Sequence, residues 1–206
     1  MKTLNIEQGT TKIKESEYIA TDYEVVIIPD TVIEIDNNAF RNCRKLKTVI
    51  IPEGVKRIGR HAFWGCENLE NVELPNSITK IEDGAFAYCS SLKRIIIPDN
   101  IAEIKKYAFF DCSCLKQIIL SESIVKIGDY VFDKCNELAY VDYLGTQEQY
   151  KAIEFGDNSL PTVFYYETTY KPTLKELLDF GYTFLQASRG LKHYKENVLQ
   201  NFFCLR

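Results

Sequence analysis

The sequence predicts an α/β repeat solenoid, in which a unit of 23 residues recurs and its copies stack along one axis. Two observations support this prediction. Cysteines recur at that spacing, at Cys43, Cys66, Cys89, Cys112 and Cys135. Prolines recur at the same spacing, at Pro29, Pro52, Pro75 and Pro98, with Ser121 in the next place. Self-similarity at a fixed period of about 20–50 residues indicates a solenoid, because a single unit cannot bury its own apolar face.

Each unit reads I-P-x-x-V-x-x-I-x-x-x-A-F-x-x-C-x-x-L-x-x-V-x, and its parts predict elements in order. The L-x-x-V-x-I segment alternates apolar and polar residues, which predicts a strand whose inward side chains line a shared core. Proline ends this strand, because it has no amide hydrogen to donate. The V-x-x-I segment predicts a second short strand. The Ala-Phe pair, whose Phe fills the core, predicts a 3₁₀ or helical turn on the return path.

Five full copies of the unit occupy residues 29–143. Residues 1–28 are interpreted as a degenerate N-terminal capping repeat, because Leu4 and Ile13 keep the register of the unit although its cysteine is missing. A degenerate repeat is expected at the end of a solenoid, because one of its stacking faces is exposed to water. Residues 144–170 are interpreted as a final atypical repeat.

Residues 171–206 predict a C-terminal helical extension. Thr173 followed by Glu176 forms a capping-box pattern, and the apolar residues after it keep helical spacing. We interpret this extension as a helical cap over the last repeat. The alternative is a pair of helices that binds a partner or a membrane surface.

Composition and charge exclude several classes of protein. The net charge is −4, which does not provide the basic surface of a nucleic-acid-binding protein. No apolar run is long enough for a membrane span, and residues 1–7 lack the apolar core of a secretory signal. Seven cysteines are an odd number, and those of one repeat column point the same way and cannot all pair. We therefore expect buried free thiols, which together with the absent signal favour a cytoplasmic setting.

Nothing in the sequence indicates an enzyme, a metal site or a cofactor. His61 and His193 lie far apart, and no nucleophile elbow, phosphate loop or zinc-protease motif occurs. The nearest approach to a metal motif is Cys112 with Cys114 and Cys135. Two of these three belong to the column of buried cysteines, whereas zinc sites usually need four well-spaced ligands.

The strand residues that point away from the core are the first candidate binding surface. One of their two columns contains four isoleucines, and contiguous apolar patches mark interaction sites. The alternative is that β-branched residues simply suit strands. The predicted partner-binding residues are Thr48, Ile50, Asn71, Glu73, Arg94, Ile96, Gln117, Ile119, Tyr140 and Asp142, with Ile27 heading the isoleucine column.

Aromatic residues on the turns form a secondary candidate surface. Trp64 and Phe110 occupy the same position of alternate units, and Tyr88, Tyr107 and Tyr130 lie nearby in the repeat pattern. Exposed aromatic side chains at variable positions are typical of protein hot spots. The alternative is that they shield the core phenylalanines of neighbouring repeats.

The unit resembles the BspA-type leucine-rich repeat, a family named for a bacterial surface antigen. The likeness covers residues 29–143 and rests on Ile51-Pro52, Val55, Ile58, Ala62-Phe63, Cys66, Leu69, Val72 and their equivalents in the other copies. The resemblance implies a right-handed superhelix with a parallel β-sheet on its concave face. It also implies a binding module at the cell surface or secreted, since the family is mostly described in adhesion and protein binding.

The sequence therefore predicts a non-catalytic protein–protein interaction scaffold with a protein partner on the concave face and, by resemblance, an adhesion-related role. The alternative is a structural, self-assembling protein that forms a homodimer or larger homo-oligomer. A third alternative, glycan binding, rests only on exposed tyrosine and asparagine side chains.

Overall fold

The first strands of successive units pair in parallel, one unit to the next. The computed structural model describes residues 1–138 and 140–158, and of Tyr140 the backbone alone. All of them belong to the compact unit Met1–Tyr165. The strands of this first sheet are β1 (Thr3–Asn5), β3 (Val25–Ile27), β5 (Thr48–Ile50), β7 (Asn71–Glu73), β9 (Arg94–Ile97), β11 (Gln117–Leu120) and β13 (Tyr140–Tyr143).

A second sheet runs along the stack, built from the V-x-x-I segments. Its strands are only two residues long, because the repeat leaves room for no more before the return path turns. They are β2 (Lys12–Ile13), β4 (Glu34–Ile35), β6 (Arg57–Ile58), β8 (Lys80–Ile81), β10 (Glu103–Ile104), β12 (Lys126–Ile127) and β14 (Glu154–Phe155).

Each strand residue pairs with the residue at the equivalent position of the next unit. Val26 pairs with Val49, and Val49 pairs with Val72. Within the described residues, no strand pairing joins β7 to β9 or β8 to β10, so each sheet consists of two pieces. The turns remain bonded across this interruption, since the Phe86 amide donates to the Ala108 oxygen at 2.9 Å. The stack is therefore continuous through its turns, and β7 and β9 remain neighbours although no strand pairing joins them.

A column of aromatic rings forms the centre of the core. Neighbouring rings stack with centroids 5.2–6.0 Å apart and planes within 9° of parallel. The small alanine that precedes each phenylalanine is fully buried in four units, where a larger side chain would strain a closely packed interior. The rings of the column are Tyr18, Phe40, Phe63, Phe86, Phe109 and Phe132.

The prediction of 3₁₀ or helical turns on the return path is wrong for the described residues, which contain no 3₁₀ helix. In their place are successive four-residue turns, closed for example by the Cys43 amide donating to the Phe40 oxygen at 3.2 Å. Asn38 and Asn42 have φ values of 56° and 59°. Two residues with left-handed backbone in each return path prevent a helix from continuing. A positive φ at the third of the four turn residues is the conformation that a type II turn requires.

The class is accordingly a parallel β-solenoid rather than α/β. Among the described residues the single α-helix is α1 (Gln147–Lys151), five residues long. Its first turn carries a capping box, in which the Thr146 hydroxyl accepts from the Gln149 amide and the Gln149 side chain accepts from the Thr146 amide. The predicted helical extension at residues 171–206 lies outside the described residues.

Charged side chains cover the outward side of the second sheet and mostly alternate in sign, with the exception of Arg57 beside Lys80. Lys12 pairs in register with Glu34, and Glu34 pairs with Arg57. Arg57 Nη1 lies 2.6 Å from Glu34 Oε1, and Lys126 Nζ lies 2.9 Å from Glu154 Oε1. Opposite charges directly across a pair of strands favour that register over a shifted one.

Candidate interaction surfaces

The outward face of the first sheet carries an exposed pair of isoleucines. Ile27 pairs with Ile50, and these side chains are 38% and 51% exposed. Their strand neighbours Val26 and Val49 point into the core and are buried. The pair arises because alternate residues of a strand face opposite sides of the sheet.

The isoleucine column consists of two pairs separated by an acidic residue. Glu73 follows Ile50 in register and is exposed. Ile96 pairs with Ile119 beyond the interruption of the sheet, and both are half-buried. The predicted partner-binding residues whose side chains are described therefore share the outward face of the first sheet, but their apolar members form two separate groups.

Asp142 follows Ile119 in register at the far end of this face. Burial raises the pKa of its carboxyl group, and the side-chain amide of Gln117, which donates to this carboxylate, opposes the rise. Polar residues of neighbouring strands thus satisfy each other here.

Aromatic side chains on the turns form a continuous surface. We call it the aromatic strip and define it as His61, Trp64, Tyr88, Tyr107, Phe110 and Tyr130. Its ring centroids follow one another at 4.6, 4.7, 5.4, 5.6 and 5.3 Å, from His61 through Trp64, Tyr88, Phe110 and Tyr107 to Tyr130. All six side chains are partly accessible, and Tyr107 is 37% exposed.

Two cations extend the aromatic strip. The Arg41 guanidinium lies 5.4 Å from the Trp64 ring, and the Lys134 ammonium lies 5.1 Å from the Phe110 ring, both within the range of cation–π attraction. Sequence reasoning named the aromatic residues of the strip but assigned no role there to His61 or to these two cations. The signal available for Arg41 is its position one repeat before Trp64.

Four members of the strip occupy left-handed backbone. His61, Tyr88, Tyr107 and Tyr130 have φ values of 55–60°. Other units place glycine, asparagine or a further residue at these two turn positions, all with positive φ: Ser16, Ala20, Asn38, Asn42, Gly65, Gly84, Asp111 and Lys134. Because a left-handed conformation costs a residue other than glycine about 1–2 kcal/mol, these aromatic residues reduce the stability of the turns that carry them.

The core phenylalanines are buried in every full unit, with or without an aromatic residue at the position of Trp64. Phe132 is followed by Asp133 and Lys134, and it is still only 3% exposed. Phe40, followed by Arg41, is fully buried. Each of these two units lies beside a unit that does carry an aromatic residue at the position of Trp64, with Trp64 one repeat after Arg41 and Phe110 one repeat before Asp133. Shielding of neighbouring repeats therefore stays the alternative to a binding role.

The repeated cysteines form a ladder of buried free thiols. Each thiol donates to a backbone oxygen of the preceding unit, with Sγ–O distances of 3.2 Å for Cys66 to Phe40 and 3.2 Å for Cys112 to Phe86. Burial raises the pKa of Cys112 well above the ordinary value for a thiol. Cys66, Cys89, Cys112 and Cys135 therefore remain neutral at physiological pH and serve as donors in the core. Cys43, at the end of the ladder, differs, because its hydrogen bond with Cys66 lowers its pKa to about 7.

Residues 1–138 and 140–158 contain no group of three or more His, Cys, Asp and Glu side chains placed to hold a metal ion. Cys112 and Cys135 donate within the thiol ladder, while Cys114 is half-buried outside it. Burial is the main cause that lowers the pKa of His61, which favours its neutral form. In the same ranges no helix has both the length and the apolar character to span a bilayer.

Comparisons with known proteins agree with the repeat pattern. The sequence profile of the BspA type leucine rich repeat region matches six copies over residues 3–139. A leucine-rich repeat protein of T. pallidum is 31% identical with a TM-score of 0.58, over 70% of this chain and 74% of that one. No curated protein matches the sequence.

Two further solved structures share the fold. A leucine rich cell surface protein of Faecalibacterium prausnitzii A2-165 is 27% identical with a TM-score of 0.53, over 78% of this chain. The match covers 36% of that protein, so the chain spans about a third of its length. The pneumococcal vaccine antigen PcpA is 21% identical with a TM-score of 0.50, over 71% of this chain and 42% of its own, which is a likeness of fold alone.

Proposed function

Because the chain belongs to the BspA-type leucine-rich repeat family, we propose that it is a non-catalytic scaffold that binds a protein partner on the outward face of its first sheet. Repeat scaffolds of this kind are typical of interaction and surface proteins. The supporting observation is the exposed pair of Ile27 and Ile50 on that face.

The fold has no need of isoleucine at these positions. Thr48, Asn71 and Glu73 lie on the same face and are compatible with the same strands. An outward-facing isoleucine exposes apolar surface to water. Burial of that surface by a partner is favourable by about 25 cal/mol for each Å². A partner that covers Ile50 and its neighbours would gain this free energy, and the exposed carboxylate of Glu73 would restrict which partners fit.

We place this binding role at the cell surface, with adhesion as the corresponding activity. The support is the F. prausnitzii relative, whose description is a leucine rich cell surface protein. The comparisons give no support to the cytoplasmic setting that the free thiols led us to expect.

Self-association is the second candidate, favoured by the same exposed pair. Under a two-fold axis a surface meets its own copy, and an apolar row on an open sheet is self-complementary. A homodimer would bury Ile27 and Ile50 of both protomers.

The test is differential capture from lysate and culture medium with purified variants. We expect one protein to be retained by the wild type and lost with the triple variant Ile50→Glu, Ile96→Glu and Ile119→Glu. Ile33→Glu is the matched control, because Ile33 is 57% exposed but lies outside the first sheet. A partner that binds the triple variant as well as the wild type would refute the assignment of this face.

Light scattering on the same variants distinguishes self-association from the binding of a different protein. If the chain self-associates through this face, the wild type and Ile33→Glu form dimers, and the triple variant is monomeric. A wild-type protein that stays monomeric at high micromolar concentration rules out the homodimer.

A further inference from the structure

We propose that the aromatic strip is a second binding site, separate from the first sheet, for an extended proline-rich peptide with a carboxylate at each end. Such a peptide adopts the polyproline II helix, which aromatic surfaces recognise without a large ordering cost. The proposal depends on the geometry of the strip and not on the partner of the sheet.

The rings of the strip meet at steep angles. From His61 to Tyr107 the successive interplanar angles are 73°, 52°, 67° and 82°, and the final pair, Tyr107 with Tyr130, is stacked. Since centroid distances of 4.6–5.6 Å place neighbouring rings in direct contact, the pyrrolidine rings of a proline helix would pack on the outer surface of the strip and not between its rings.

The polar groups of the strip suit a ligand rich in acceptors. Within residues 1–138 and 140–158, the indole N–H of Trp64 and the hydroxyl groups of Tyr88, Tyr107 and Tyr130 make no hydrogen bond to the protein. An indole N–H can only donate. A proline helix presents carbonyl oxygens and no amide hydrogens, because proline has none.

The cations determine the charge and the length of the ligand. Neither Arg41 nor Lys134 forms an ion pair with a carboxylate in the described part of the chain. Their units are four repeats apart, which is about 19 Å at the usual strand spacing. A polyproline II helix rises about 3.1 Å per residue, so about six residues connect the two cations.

The repeat holds four aromatic residues of the strip at left-handed turn positions. Tyr88 and Tyr107 hold φ values of 60° and 59° at positions where Asn42 and Asn38 serve an earlier unit. The same two positions are left-handed in the other units as well, for example at Asp111 and Lys134, so the strain belongs to the repeat. Asparagine should therefore be able to replace either tyrosine without disturbing the turn.

The experiment titrates the full chain with a synthetic peptide of about six prolines between two glutamates. Trp64 is the only tryptophan of the chain, so its fluorescence reports binding at the strip. We expect a saturable change in Trp64 emission. It should weaken with added salt, and it should be absent with a glycine peptide of the same length and with lysine at both ends.

The decisive variant is Tyr88→Asn with Tyr107→Asn. Asparagine suits left-handed backbone, so we expect an unchanged or higher Tm together with a loss of affinity of about tenfold or more. Arg41→Gln and Lys134→Gln should each lower the affinity about threefold and reduce its salt dependence. Ile50→Glu, on the first sheet, should leave peptide binding unchanged even if it removes the partner of that face.

Three results would overturn the proposal. One is unchanged Trp64 emission at millimolar peptide, and another is equal affinity in the double tyrosine variant. The third is a response of Trp64 to a linear gluco-oligosaccharide and not to the peptide, which would reassign the strip to glycan.

Discussion

The thiol of Cys89 donates to the backbone oxygen of Phe63, one unit earlier in the stack, with Sγ and O 3.3 Å apart. The same oxygen accepts the amide of Cys66 at 3.2 Å. Each buried carbonyl of this kind therefore has one bond within its unit and one to the next, as a buried backbone acceptor requires. The repeated cysteine connects neighbouring units through a donor small enough for the core.

Cys89→Ala should lower the free energy of unfolding by about 1–2 kcal/mol, because it removes a buried donor and leaves a small void. Urea unfolding under reducing conditions measures the change. Cys114→Ala is the control, since Cys114 lies outside the ladder and is half-buried, and we expect a change of less than about 0.5 kcal/mol. Equal losses for the two variants would contradict the role assigned to the ladder.

Stability should fall at alkaline pH. Burial raises the pKa of Cys66, Cys89 and Cys112, and raises that of Cys135 to about 12, whereas an unfolded thiol ionises near pH 8.5. Since the folded-state values are the higher ones, this stabilisation is complete below about pH 8.5 and declines as the pH rises toward them. Each thiol should then cost about 1.4 kcal/mol by pH 9.5.

Urea titrations at pH 7.5 and 9.5 measure this pH dependence. Cys112→Ala serves as the control, because it removes one ionisable thiol and should reduce the alkaline loss by about 1.4 kcal/mol. The explanation fails if the variant and the wild type lose the same free energy over this range.

Gly84→Ala should disturb the aromatic strip. Gly84 has φ of 59°, and an added Cβ would lie 2.6 Å from His61 Cδ2 and 3.1 Å from Trp64 Cε3. We expect a loss of about 2–3 kcal/mol, from backbone strain and overpacking together, and a shift of Trp64 emission.

Gly9→Ala isolates the backbone contribution. Gly9 has φ of 92° with no atom within 4 Å of the added Cβ. This variant should lose about 1 kcal/mol and leave Trp64 emission unchanged. An equal loss in both variants, with no spectral shift in Gly84→Ala, would show that the strip tolerates the extra methyl group.

Arg57→Gln should destabilise the second sheet by about 1–2 kcal/mol. Arg57 is half-buried and contacts Glu34 at 2.6 Å and Glu82 at 3.3 Å, so its loss leaves two carboxylates with less compensation. Lys93→Gln removes an exposed pair with Glu70 at 3.1 Å and should cost less than about 0.5 kcal/mol. Thermal unfolding at low and high salt compares them, and equal effects would refute the distinction.

The stacking of the units was predictable because equivalent residues recur in the sequence at a fixed spacing. Residues one period apart occupy equivalent places, so the spacing of Val26, Val49 and Val72 already contains the register in which they pair. The burial of the cysteine and phenylalanine columns follows from the same interval.

The return path was not predictable from residue preferences. Tyr88 is a poor left-handed residue, yet its amide donates to the Phe110 oxygen at 2.7 Å in the next unit, and the tertiary bond outweighs the local cost. Propensity alone therefore indicated a helical turn where the structure has left-handed residues. The division of the isoleucine column was also hidden, because the sequence shows no break in period between β7 and β9.

The sequence by itself determined the 23-residue period, the parallel stacking, the apolar core and the free thiol ladder, because each depends on one position repeated at one interval. Only the tertiary structure decided that Trp64, Tyr88 and Phe110 form one strip between Arg41 and Lys134. Those residues come from two adjacent positions of the repeat, one shared by Arg41, Trp64 and Phe110 and the other by Tyr88 and Lys134. Their contact depends on the handedness of the turns, which the bonds between neighbouring units impose.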